Sequence, residues 1–103
     1  MADAARTIIV GAGTPLSKRL QACVRAAFGA ALRVARVGSS VNEIGRVTEG
    51  LVLTIEPIIS AGAGNVVESQ DGWTLRTRDG SRAAHHEETI VITGTTPVVL
   101  TAA

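Results

Sequence analysis

The run Glu49–Pro57, EGLVLTIEP, decides how the chain folds. Its short apolar run, Leu51 to Ile55, reads as a strand, and Pro57, which has no backbone N–H to give to a ladder, ends it. Alternation puts Leu51, Leu53 and Ile55 on one face and Val52, Thr54 and Glu56 on the other. A second run, EETIVIT from Glu87 to Thr93, divides in the same way. Glu87, Thr89 and Val91 share one face, and Glu88, Ile90 and Ile92 share the opposite one. If the two strands pair, Glu56 and Glu87 meet on a face otherwise lined by Val and Thr. Two carboxylates about 4 Å apart repel by roughly 4 kcal/mol at an effective dielectric near 20. Folding then requires a shared proton or a bound cation. Two solvated strand-end glutamates satisfy the same spacing, so the residues alone leave both readings open.

Working outward from these strands, RTIIV (Arg6 to Val10) reads as a strand that stops at GAGTP. The GxG in that turn lacks the lysine of a phosphate-binding loop and reads as an ordinary strand-to-helix turn. Thr14 and Pro15 supply a helix cap and first residue. Leu16, Leu20, Cys23, Val24, Ala27, Phe28, Ala31 and Leu32 follow at helical spacing, which predicts an amphipathic helix of about five turns with Cys23 inside its apolar stripe. SVNE, Ser40 to Glu43, is a capping-box pattern for a second helix through Ile44, yet the chain turns back to strand-like sequence almost at once. SAGAGN reads as a loop, NVVES as an edge strand, DGW as a tight turn into WTLRTRDG, and PVVLT as a last strand.

Composition narrows the function classes. The chain has 103 residues, consistent with a single domain, and 46% of them are hydrophobic. One Trp, one Phe and no Tyr leave core volume to aliphatic side chains, so the core is expected to be thin. The net charge of +1 arises from ten basic and nine acidic residues mixed along the chain, with no basic stripe or aromatic platform for nucleic acid. No apolar run approaches the roughly 20 residues of a membrane span. The N-terminus has no signal-peptide plan, and the single Cys23 suits a reducing cytoplasm.

GLVLTIEPII, DGWTLRTRDGSRAAHHEETIVIT and the closing VVLT resemble the C-terminal strands of type I methionine aminopeptidases. These are metal-dependent enzymes of the pita-bread (creatinase/aminopeptidase-like) fold that remove the initiator methionine from new proteins. The resemblance implies that Glu56, in TIEP, and Glu87, in the DGS…A…E-x-T pattern, are metal ligands. ADAARTIIVG followed by TP and the long helix resembles the family segment whose Asp bridges two metals, and Asp3 takes that position. Glu56 would also serve as the catalytic proton acceptor. The implied cofactor is a divalent metal, with manganese, cobalt or iron used in the family. The implied substrates are peptides with N-terminal methionine; no residue of this chain is assigned to substrate binding.

Departures from the family pattern carry equal weight. The resembled site uses two Asp, one His and two Glu. The first Asp would lie upstream of Met1, and the His belongs to a GHGIG segment that does not occur where Val47 and Thr48 join the short helix to EGLVLTIEP. The expectation is a chain truncated at its N-terminus with an internal deletion. Three carboxylates without imidazole form a hard-oxygen site weakened by lost donors. His85 shares the face of Glu87 and stands where the family usually has Gln; it reads either as a substitute nitrogen ligand or as a polar side chain at the site mouth. His86 and Glu88 point the other way and read as surface or strand-end residues.

The sequence therefore predicts an α+β chain with one long and one short helix packed on an antiparallel sheet. It would form a single incomplete domain, residues 1–103, with a partial pita-bread fold. Its function would be that of a methionine aminopeptidase-like metallopeptidase, weak or inactive in this form. The alternative is a non-catalytic remnant or interaction domain with residual divalent-metal binding. Unpaired strand edges would favour a homo-oligomer.

Overall fold

A computed structural model describes residues 2–39 and 49–102. The helix expected at Ser40–Ile44 and the Val47–Thr48 junction lie outside the described residues. In chain order the elements are β1 (Ala4–Arg6), α1 (Pro15–Val34), β2 (Val52–Ile55), β3 (Ile58–Ser60), β4 (Val66–Glu68), β5 (Leu75–Thr77), β6 (Ala83–Val91) and β7 (Val98–Val99).

The nine-residue strand β6 is the spine of the sheet, and every partner runs antiparallel to it. β1 and β7 share one of its edges, while β2 and β3 share the other. β2 pairs Val52 with Val91 and Ile55 with Glu88; β3 pairs Ile58 with His85 and Ser60 with Ala83. The register is therefore unbroken across Glu56–Pro57, and Glu56 stands opposite Glu87. Pro57 cannot donate to the ladder, but its carbonyl accepts from the His86 N–H at 3.2 Å, so pairing resumes beyond it. The sequence reading ended the strand at Pro57; β3 extends that pairing. β4 and β5 form a separate hairpin, closed by Asp71, whose Oδ1 accepts from the Trp73 and Thr74 N–H groups.

The helix forms where its cap and stripe predict. Thr14 Oγ1 accepts from the Ser17 N–H at 3.1 Å, and Pro15 opens the first turn. α1 lies on the β6 face that carries Ala84, His86, Glu88 and Ile90, with Ile92 just past the strand's end. Leu20 and Val24 pack with Ala84 and Ile59; Leu32 and Ala35 pack with Ile90, Ile92, Leu53, Ile55 and Val99. Cys23 corrects the sequence expectation, because it is exposed. A single sheet covers only a narrow stripe of a helix, and Cys23 is rotated about 100° from Val24, which occupies the buried line.

β1 is a second correction. The strand expected at Arg6–Val10 is Ala4–Arg6 instead, and Ile8 and Val10 are exposed. Thr7 makes the last ladder contact, its N–H donating to the His85 carbonyl at 2.9 Å. Beyond it the chain lifts from β6 to reach α1 through Gly11 and Gly13, both at positive φ. A Cβ at Gly13 would collide with Ile9, so this turn requires glycine there.

The core is thin, as composition predicts: among the described residues, Leu20, Val24, Ala84, Ile90 and Ile92 are the buried aliphatic ones. Among the described residues, no helix is long and apolar enough to cross a membrane.

Candidate metal centre

Strand alternation brings the acids together. On the β6 face opposite α1, His85 and Glu87 project side by side from alternate positions, and Glu56 meets them from the neighbouring edge. His85 Nε2 lies 3.1 Å from Glu56 Oε1 and 3.7 Å from Glu87 Oε2. One ligand atom from each of the three residues falls within a span of 4.8 Å. Glu87 is buried, whereas the Glu56 side chain is 49% exposed.

Asp3 approaches from the opposite edge of β6. The Thr89 hydroxyl fixes its backbone, accepting from the Asp3 N–H and donating to the Asp3 carbonyl, each at 2.8 Å. One Asp3 carboxylate oxygen accepts from the Ala4 N–H at 2.9 Å. Asp3 thus occupies the acidic face but stands outside the close group of Glu56, His85 and Glu87. Thr89 was not singled out from sequence, although its place two residues after Glu87 was a usable signal.

Electrostatics match that arrangement. Burial raises the Glu87 carboxyl above its ordinary value, the negative charges of Asp3 and Glu56 raise it further, and His85 opposes them. Nε2 of His85 is shielded from solvent and makes no hydrogen bond, despite its closeness to Glu56. The backbone of His85 is held at both its polar groups by Thr7, whose hydroxyl accepts from the His85 N–H at 2.8 Å and whose N–H donates to the His85 carbonyl.

A divalent cation fits this donor set. Ligand atoms about 2.1 Å from one cation lie roughly 3.0 Å apart at a right angle and roughly 3.4 Å apart at the tetrahedral angle. The 3.1 Å separation from Glu56 falls between those values, and the 3.7 Å separation from Glu87 lies a few tenths of an ångström above the larger. A cation would also neutralise the like charges and give the unpartnered Nε2 a partner.

Behind the centre, the α1 face overturns the reading of His86 and Glu88 as surface residues. Glu88 is only 3% exposed. Arg6 donates to its Oε1 through Nε at 3.1 Å and also through Nη2, while the Thr101 hydroxyl donates to Oε2 at 2.6 Å. Burial pushes the Glu88 carboxyl up, but the bonds from Thr101 and Arg6 and the nearby positive charges outweigh it and hold the group below its ordinary value. His86 packs its ring on Phe28, with centroids 4.7 Å apart. Burial lowers its pKa, against the pull of Glu88. Local sequence could not show that α1 covers these two residues or that Arg6 reaches Glu88 from β1.

Comparison with known proteins agrees with the fold. No family model matches the chain. Methionine aminopeptidase from Aquifex aeolicus is 48% identical over 69 residues, which cover 63% of this chain and 27% of that protein. Methionine aminopeptidase 1 from Mycobacterium tuberculosis is 48% identical over 52 residues, covering 50% and 20%. The crystal structure of methionine aminopeptidase from Thermotoga maritima superposes with a TM-score of 0.86 at 28% identity, covering 99% of this chain and 58% of that one. That from Rickettsia prowazekii gives 0.87 at 23% identity, covering 98% and 58%. The chain thus spans about a quarter of the length of the curated relatives it matches and somewhat over half of the solved chains. Sequence and fold together relate this chain to the methionine aminopeptidases, whose pita-bread architecture it carries in part.

Proposed function

We propose that the chain is a methionine aminopeptidase-like metallopeptidase unit, acting on peptides with N-terminal methionine and weak or inactive when isolated. The single observation that carries this reading is the register that sets Glu56 opposite Glu87, with Asp3 on the same sheet face. In this proposal Asp3, Glu56 and Glu87 are the metal-holding carboxylates, and residues 1–103 form one incomplete domain. A bound divalent cation would polarise the scissile carbonyl and make the attacking water more acidic. Manganese, cobalt or iron are the metals in view. Glu56 accepts the proton of that water, a role its half-exposed side chain and place at a strand end support. Glu87, buried beside His85 on β6, holds the metal in this reading. The acidic face also attracts the positively charged amino terminus of a peptide.

Weak turnover follows from openness. Glu56 and the neighbouring Ile58 both face solvent, so water is not excluded from the reacting groups. A reducing cytoplasmic setting suits the exposed Cys23, and unpaired strand edges favour self-association.

The test is methionine release from a Met-Ala-Ser peptide with manganese or cobalt, together with calorimetric metal titration. We expect release near background and metal affinity that falls in Asp3→Ala, Glu56→Gln and Glu87→Gln. Rapid metal-dependent release, lost in Glu56→Gln, would refute the claim of weakness. Metal affinity unchanged in all three variants would refute the site.

A further inference from the structure

His85 has no role in the carboxylate set proposed above, yet its Nε2 lies within 3.7 Å of both glutamates. The geometry points to His85 Nε2 as a direct nitrogen ligand, forming with Glu56 and Glu87 a single-cation site of one imidazole and two carboxylates. This inference rests on the proposed metal-binding reading and deepens it by naming a donor and, with it, a preferred class of metal.

Three observations carry it. The first is distance: Nε2 stands 3.1 Å from a Glu56 oxygen, a separation two ligands of one small cation adopt, and 3.7 Å from a Glu87 oxygen, a few tenths of an ångström wider. The second is the unpartnered state of Nε2, which is shielded from water and makes no hydrogen bond. Such a shielded polar atom needs a partner, and a cation between it and the acids supplies one. The third is preorganisation. His85 lies in the interior of β6, paired with Ile58 on one side and bonded twice to Thr7 on the other, so its ring is presented from a fixed backbone. Asp3, on the far edge and outside this close group, remains the third carboxylate of the proposed set, to which His85 adds a nitrogen.

A nitrogen donor changes selectivity. Carboxylates alone suit magnesium, calcium and manganese, whereas imidazole adds preference for later first-row metals. The site should therefore take cobalt(II) or zinc(II) in preference to magnesium, and His85 should be the reason. A plain His85–Glu56 ion pair would have the opposite consequence, because removing the imidazole would then leave Glu56 free to bind metal more tightly.

Cobalt(II) and magnesium(II) titrations of the full chain, followed by calorimetry and by cobalt visible absorption, separate these cases. His85→Ala and His85→Gln are compared with Glu56→Gln, with far-UV circular dichroism as the folding control. We expect each His85 variant to lose about tenfold or more in cobalt affinity, in the range typical of disrupted metal sites. Magnesium affinity should change less than twofold, and the cobalt spectrum should change in shape. Zinc(II) added to the unaltered protein labelled with nitrogen-15 should shift the His85 Nε2 resonance while leaving that of His86 in place, a readout independent of any variant folding. Cobalt affinity within twofold of the parent in both His85 variants, with Glu56→Gln weakened, would overturn the nitrogen ligand and leave the carboxylate site standing. Cobalt affinity unchanged in all three would overturn both.

Discussion

Replacing Arg6 by Met tests whether the buried Glu88 network supports the sheet from behind. In the folded chain the Glu88 carboxylate is nearly sealed from water and accepts from Arg6 on one side and Thr101 on the other. Taking one partner from a buried ion pair typically costs about 3–5 kcal/mol, because a charge stays behind without compensation. Here the Arg6 side chain is 44% exposed, so water can reach the vacated position, and Thr101 still donates. The cost should therefore fall to about 2 kcal/mol. Glu88→Gln removes the charge itself and keeps an acceptor for Thr101, so it should cost only about 1 kcal/mol. With roughly 1 kcal/mol per molar urea for a small domain, Arg6→Met should shift the midpoint down by about 2 M. Trp73 is 87% exposed and would report poorly, so the helix signal of α1 in far-UV circular dichroism is the appropriate probe. The pH dependence has a definite sign. The lowered pKa of Glu88 contributes stability that is present above the unfolded value of about 4.3 and is lost as pH falls through the lower folded value. In Arg6→Met, burial opposes the charge with less to offset it, so the deficit against the parent protein should shrink as the solution is acidified and Glu88 protonates. A midpoint within about 0.5 M of the parent at pH 7, or a larger loss in Glu88→Gln than in Arg6→Met, would refute this reasoning.

Two further outcomes follow from the same structure. Glu87 has the opposite sign to Glu88: its raised pKa contributes stability that is present below the unfolded value and lost as pH rises through the higher folded value. Glu87→Gln should therefore melt higher than the parent at pH 7 without metal, and thermal scans should show it gaining less from added cobalt; a lower melting temperature would count against crowding of negative charge at the centre. Ile90 has no exposed surface and joins α1 to β2 and β7, so Ile90→Ala should cost about 2–5 kcal/mol by chemical denaturation, a large share of the stability of so thin a core. A loss under 1 kcal/mol would show that the site collapses around the missing atoms.

The candidate site was legible because strands obey a short-range rule. Side chains two apart share a face whatever surrounds them, so Glu56 and Glu87 could be assigned facing positions once their strands were assumed to pair. Helix α1 was legible for a similar reason, since Thr14, Pro15 and the spacing from Leu20 to Leu32 act within a few turns. Where the reading failed, the deciding contact came from far along the chain. Cys23 looked buried because it falls within the apolar stripe, yet a single sheet covers only one line of the helix. Ile8 and Val10 looked like strand residues, but beyond Thr7 the chain leaves β6 to reach α1. Pro57 looked like an end because it lacks a donor, while the ladder beyond it depends on residues nearly thirty positions away.

His85, His86, Glu87 and Glu88 show the division most plainly. Their alternation is legible in the residues alone, and so is which pair points each way. What each face meets is settled only when the strands pair and α1 packs. The packing of α1 and the reach of Arg6 made Glu88 a buried, compensated charge, while the arrival of Glu56 and Asp3 from opposite edges made Glu87 a crowded one. Alternation is a property of the backbone and is written locally. Burial and charge compensation depend on partners that the chain brings together only when it folds.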